Sequence, residues 1–267
     1  MEDIREILDW YITAGVDEIC ADEPCNALKK ADTLAISPTE NSKSPVADNI
    51  TVAAGRPAVS ALSQINIAAC QSARDICQKA QTLDDLRAMV ENFDGCSLKF
   101  SANSTVFGYG NAQAEILIVG EAPGADEDRL GEPFVGRSGH LLDKMLAAVD
   151  LKREDCYITN ILPWRPPGNR TPTSEEVAVC LPFLKRQIEL INPKIIFILG
   201  RSAANALLDN ADSISALRGH FIDYTTDKGT IIPTLSSFHP AYLLRTASQK
   251  SKAWADLLRL KRKLNEM

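Results

Sequence analysis

Apolar residues recur along this chain with two different periods. In residues 2–19, Ile4, Ile7, Leu8, Tyr11, Ile12 and Val16 share one side of a helix, so an amphipathic helix is expected near the N-terminus. Residues 33–60 are rich in Ser, Thr, Pro, Asn and Ala, have no period, and read as a flexible linker. Residues 63–92 return to helical spacing, with a restart at Thr82, a good N-cap with Asp85 at N3. From Cys96 onward, short apolar runs alternate with helical segments. Strands are expected at 116–119, 156–161, 195–199 and 231–235, and helices at 138–149, 174–191, 201–208 and 248–265. Thr173 is placed to cap the second of these helices. The alternation predicts an α/β fold, a three-layer α/β/α sandwich around a four-stranded parallel sheet with a helical N-terminal extension. The domain layout follows: an N-terminal helix within 1–32, a linker at 33–62, and one domain over 63–267 whose motifs lie in 96–267.

Composition changes this picture only modestly. An apolar content of 45% suffices for a core in 267 residues, and the net charge of −6 argues against bulk-charge coating of nucleic acid. The acidity belongs to the first 95 residues, and the remainder is close to neutral, so it can present a local basic surface. No apolar run is long enough for a membrane span, and the acidic start MEDIREILDW lacks a signal-peptide core. Seven cysteines in a chain without such a signal suggest a reducing cytoplasm, so a cytoplasmic, bacterial-type, nucleoid-associated protein is expected.

The chemistry gathers in the four loops that follow the strands. The first, GEAPGADEDRLGEPFVGR at 120–137, holds four glycines, a carboxylate cluster and an isolated Phe134. The others are NILPWRPPGNR from Asn160, GRS from Gly200, and SSFHPAYLLR from Ser236. In a parallel sheet all four leave the same edge, where open α/β folds bind ligands. Taken alone, each residue has an ordinary alternative: Phe134 as core filler, Asn160 as a turn former, a lone His239 as structure, any one Arg as a solvated charge. No GxxxxGK[ST] or GxGxxG loop supports a nucleotide-binding reading.

Together the pieces GEAPGADED, GEPFVGRSG, ITNILPWRPPGNR and FHPAYLLR resemble the family 4 uracil-DNA glycosylases of the uracil-DNA glycosylase superfamily, over residues 96–267. The resemblance implies an enzyme of base-excision repair that flips uracil from DNA. It then hydrolyses the N-glycosidic bond and leaves an abasic site with the strand intact. By the same resemblance, 63–267 is the catalytic domain. Phe134 stacks on the base, and Asn160 reads uracil by donating to O4 and accepting from N3–H. His239 supports the charge developing on O2. Glu121, Glu127 and Asn169 match active-site positions, without a unique assignment of the water-activating group. Asp126 and Asp128 are expected to be solvated or loop-capping carboxylates. Tyr242, Leu243 and Leu244 resemble a minor-groove wedge, which side chain inserts being left open, and one of the two leucines is expected to enter the core. Arg137, Ser138, Arg170 and Arg245 are candidate DNA-backbone contacts.

Two departures from the family stand out. Its members usually hold a 4Fe–4S cluster on four cysteines, of which only Cys96 and Cys180 are matched here; Phe93 and Trp164 occupy the other two positions. Neither side chain can ligate iron, so no metal and no cofactor is expected. Cys20, Cys25, Cys70 and Cys77 lack a compact four-ligand pattern. An Arg-rich insert with a reactive His, found in related covalently trapping proteins, is missing after the acidic motif. The expected partners are uracil-containing DNA and a protein bound through the N-terminal helix, with no membrane and a monomeric state. A non-catalytic DNA-binding repair or replication accessory protein is the competing expectation.

Overall fold

The computed structural model describes residues 61–267. The helix expected within 1–32 and nearly all of the linker at 33–62 lie outside these residues; positions 61 and 62 already belong to a helix. That helix, α1 (Ala61–Lys79), is followed by α2 (Leu83–Glu91). The expected restart between them is a capping box: Asp85 N–H donates to Thr82 Oγ1 at 3.1 Å, and Thr82 N–H donates to Asp85 Oδ2 at 3.0 Å.

The remaining elements in chain order are β1 (Tyr109–Gly110), β2 (Ile116–Gly120), α3 (Ala125–Leu130), α4 (Arg137–Ala147), β3 (Cys156–Asn160), α5 (Ser174–Ile191), β4 (Ile195–Leu199) and α6 (Arg201–Leu208). They continue with α7 (Ile214–Leu217), β5 (Phe221–Thr225), β6 (Ile231–Ser237), α8 (Pro240–Arg245) and α9 (Lys250–Asn265). The sheet order is β1-β3-β2-β4-β6-β5, and the four expected strands β3, β2, β4 and β6 are mutually parallel. The sheet exceeds the four strands expected. Two antiparallel strands, β1 beside β3 and β5 beside β6, extend its edges. β1 is two residues long and β5 alternates polar with apolar residues, so neither forms the apolar run that marks the central strands.

Successive side chains of the central strands feed two cores, as the period of two requires. Leu117, Val119, Ile196 and Ile198 pack in one cluster with Leu86, Phe183, Leu184 and Ala203, from α2, α5 and α6. Ile116, Ile118, Ile158 and Phe197 pack in the other with Leu142, Leu146, Leu257 and Leu260, from α4 and α9. This is the three-layer sandwich.

Register decides where the loops begin. Gly120 stands opposite Asn160, and Leu199 opposite Ser237, so the parallel strands end level. β2 lies between β3 and β4, so the winding reverses there, and ligand crevices of open α/β sheets form at such points.

One corner of the first core lies where the family's cluster positions fall. Phe93 meets Phe183 edge-on with ring centroids 5.1 Å apart, and Trp164 is 1% exposed, its indole N–H donating to Thr105 Oγ1 at 3.0 Å. Trp164→Ala should therefore destabilise the protein by about 3–5 kcal/mol in chemical denaturation. A loss within experimental error would mean that this corner is not core.

Candidate active site

Three of the four loops, those following β2, β3 and β6, line a cavity of about 460 Å³, with Glu121, Glu127, Phe134, Asn160, Asn169 and His239 in its walls; the loop at Gly200 contributes no lining residue. Two roomier grooves, of 710 and 850 Å³, lie against α1 and α5 and against β1, and none of the expected site residues lines either. The active-site expectations thus converge on one hollow at the C-terminal edge of the sheet.

The first wall is the loop after β2. Its carboxylate cluster folds into α3, a helix that sequence spacing misses because its ADEDRL residues carry no apolar stripe. Glu127 is buried and spends its carboxylate on the loop itself. Oε2 accepts from Gly124 N–H at 3.1 Å, and Oε1 accepts from Val135 N–H at 3.0 Å and Gly136 N–H at 2.9 Å. Glu121, by contrast, is half-buried, lines the cavity, and its carboxylate makes no hydrogen bond among the described residues. Asp126 faces solvent beside Arg129, as expected. Asp128 is not solvated: it is 1% exposed and accepts from the backbone N–H groups of Asn103 and Ser104.

Phe134 sits with φ at +55°, in the left-handed region that non-glycine residues avoid. Arg153 holds it there. Its guanidinium donates to the Phe134 carbonyl at 2.9 Å, to the Pro133 carbonyl, and to Asp143 at 3.2 Å. Gly139 follows from the same local geometry, because a Cβ there would lie 1.7 Å from the Phe134 carbonyl oxygen. Neither Arg153 nor Asp128 is visible in the sequence as a site element, since each acts through chain segments 19 to 25 residues away.

Asn160 ends β3, is 6% exposed, and its amide has no hydrogen-bond partner among the described residues. The facing Gly120 leaves the amide room: a Cβ there would lie 2.3 Å from Asn160 Oδ1 and 2.7 Å from Phe134 Cζ. A single glycine thus keeps open the slot between amide and ring.

His239 caps α8. Its Nδ1 accepts from Ala241 N–H at 3.1 Å, so the ring proton resides on Nε2. The ring stacks beside Phe134, with centroids 5.5 Å apart and planes at 28°. Burial, and then the charge of Arg245, pull the imidazole pKa down to about 4, so it is neutral at pH 7.

The expected DNA-facing residues separate. Leu243 is a correction: it is 1% exposed and packs with Phe238 and Ala253, so it belongs to the core. Leu244, one step along the helix, is 41% exposed, and Tyr242 leans on Phe238 with centroids 5.2 Å apart. Arg137 and Ser138 open α4, whose N-cap Gly136 provides no side-chain cap. Arg245 is exposed at the cavity rim, whereas Arg170 is gripped by Glu176 at 2.6 and 2.9 Å.

The four cluster positions do not fit an iron–sulfur cluster. Cys96 and Cys180 bring their sulfurs to 3.8 Å, while Phe93 and Trp164 fill the other two places. The Cys180 thiol is held well above its ordinary pKa by its bond to Cys96 and by burial, which favours the protonated form. Among the described residues, no three His, Cys, Asp or Glu side chains are grouped to hold a metal ion.

A fold of this class, with its polar groups converging at the strand ends, has a known counterpart. The family model for the uracil DNA glycosylase superfamily matches residues 107–258, and the chain belongs to that superfamily, in its type-4 branch. A type-4 uracil-DNA glycosylase of Thermotoga maritima is 43% identical over 173 residues, 64% of this chain and 88% of the relative. One of Archaeoglobus fulgidus is 44% identical over 169 residues, 61% and 84% of the two chains. A type-5 uracil-DNA glycosylase of Pyrobaculum aerophilum is 30% identical over 167 residues, 57% and 72% of the two chains.

The slot beside Gly120 gives a direct test. Gly120→Ala should displace the Asn160 amide and lower turnover of the family's substrate about a hundredfold, because misplacement on the scale of an ångström suffices for such a loss. The melting temperature should stay near wild type. Unimpaired turnover would show that the slot is not where substrate sits.

Proposed function

We propose that this protein excises uracil from DNA by hydrolysing the bond between uracil N1 and the sugar C1′, leaving an abasic site for base-excision repair. The observation that carries this reading is the meeting, in one cavity, of a free Asn160 amide, the Phe134 ring, a neutral His239 and an unengaged Glu121 carboxylate. The flipped base stacks on Phe134, a contact worth about 1–3 kcal/mol. Asn160 donates to uracil O4 and accepts from N3–H, a pattern that cytosine reverses. As the N1–C1′ bond breaks, its electron pair moves into the uracil ring and toward O2. The Nε2–H of His239 is the donor that supports this charge. Water adds to the electron-poor C1′, with Glu121 near the sugar to accept its proton; Glu127, occupied by three backbone amides, braces the loop. Among the described residues no lysine lines the cavity to attack the sugar, so the strand stays intact.

On the DNA side, Leu244 is the apolar side chain free to fill the vacated stack, with Tyr242 beside it. Arg137, Ser138, Arg245 and the open N-terminus of α4 are backbone-phosphate contacts. Among the described residues no helix is long and apolar enough to cross a membrane. The protein is further proposed to act as a monomer in the cytoplasm, near the nucleoid, with the N-terminal segment left to a protein partner.

Single-turnover excision from a uracil-containing oligonucleotide, followed by alkaline cleavage, tests the reading. His239→Ala and Asn160→Ala should each slow excision by about a hundredfold or more, the scale of a lost transition-state donor. The wild-type rate should stay level through the ordinary histidine range and fall only as pH approaches about 4, where His239 takes up a proton. An inactive wild type would reject the enzyme, and a rate that halves near pH 6.5 would reject the neutral imidazole.

We also propose that this chain works without an iron–sulfur cluster, its place taken by Phe93, Trp164 and the Cys96–Cys180 pair. Protein purified anaerobically should lack both the broad visible absorption of a cluster and stoichiometric iron. Finding either would overturn the proposal.

A further inference from the structure

We propose that Asp128 is a positioning residue for Asn169, acting through Arg165. This deepens the reading above and rests on it. Three adjacent acidic residues meet three different fates in α3: Asp126 faces solvent, Glu127 braces the loop, and Asp128 is buried beneath it. A buried carboxylate is unfavourable unless donors surround it. Asp128 has them: Asn103 N–H at 2.8 Å, Asn103 Nδ2 at 2.7 Å and Ser104 N–H at 3.2 Å. Its fourth neighbour is the guanidinium of Arg165, at 3.9 Å from Oδ2.

Arg165 passes the constraint on. Its Nε donates to Asn169 Oδ1 at 2.8 Å. Asn169 needs such a hold, because it follows Gly168 in a turn where both residues have positive φ, +64° and +54°. With Oδ1 occupied, the group that the Asn169 amide leaves free at the cavity rim is its Nδ2 donor. The same anchor segment is tied at its other end. Val106 N–H donates to the Pro163 carbonyl at 2.8 Å, and the Trp164 indole donates to Thr105 Oγ1 at 3.0 Å. Residues 103–106 therefore form a back wall that fixes α3 on one side and the Arg165 loop on the other. Through it, a buried carboxylate sets the direction of an amide that faces substrate.

The competing role for Arg165 is a plain positive charge for DNA, and a double-mutant cycle separates the two. Single-turnover excision at saturating DNA is measured for Asp128→Asn, Arg165→Gln, Arg165→Lys and Asn169→Ala, alone and combined. Each single substitution should slow the chemical step about tenfold, whereas adding Asp128→Asn or Arg165→Gln to Asn169→Ala should change it less than about twofold, because the relay is already cut. Arg165→Lys should be as slow as Arg165→Gln, since an ammonium lacks the guanidinium's planar array of donors. Should Asp128→Asn fail to fold, the two Arg165 variants carry the test, as that side chain is only partly buried. Multiplicative losses in the Asn169→Ala background, or full activity of Arg165→Lys, would overturn the relay. A wild-type protein that releases no uracil would instead overturn the function on which it rests.

Discussion

The site depends on a carboxylate that touches no substrate in the proposed reaction. Glu127 gathers the backbone amides of Gly124, Val135 and Gly136, and so draws the two ends of an acidic, glycine-rich loop together. Between those ends lies Phe134, in a backbone conformation unfavourable by roughly 1–2 kcal/mol. Glu127 fixes the amides that follow Phe134, and Arg153 fixes the carbonyls of Pro133 and Phe134 from behind. The ring is therefore presented to the cavity by charge-assisted bonds on both sides rather than by packing alone. If the loop relaxed, the slot shared with Gly120 and Asn160 would lose its wall.

Much of this was legible in the chain because the central strands and long helices repeat their apolar residues at the proper periods. The helix over residues 174–191 and its Thr173 cap were readable for that reason, as was the restart at Thr82. Elements that owe their existence to a neighbour were not. β1 is two residues of edge pairing, and α3 is a helix whose buried face is made of carboxylates. The burial of Asp128 depends on Asn103 and Ser104, and the pose of Phe134 on Arg153, and no local pattern announces either partner. The wedge residues show the same limit. Adjacent leucines at 243 and 244 look alike in sequence, but successive positions on a helix point about 100° apart, so only one can enter the core.

The departure from the iron–sulfur pattern has a physical counterpart in the packing. A metal cluster would staple three chain segments through a few strong bonds; here Phe93, Phe183, Trp164 and two thiols join the same segments by contact area. One specific link is added, since the Trp164 indole bonds to Thr105 in the segment that also anchors Asp128. In the proposed cluster-free form, the corner keeps its mechanical connection to the site without a group that oxidation can destroy.

His239 begins a helix, and that position has a consequence of its own. The amide of Ala241 occupies Nδ1, so the start of α8 fixes both the tautomer and the heading of the ring. An imidazole held in this way has one proton to show and no vacant nitrogen with which to exchange it. In the proposed reaction it behaves as a fixed dipole rather than as an acid. The uracil then leaves as an anion, and its protonation falls to the solvent that follows.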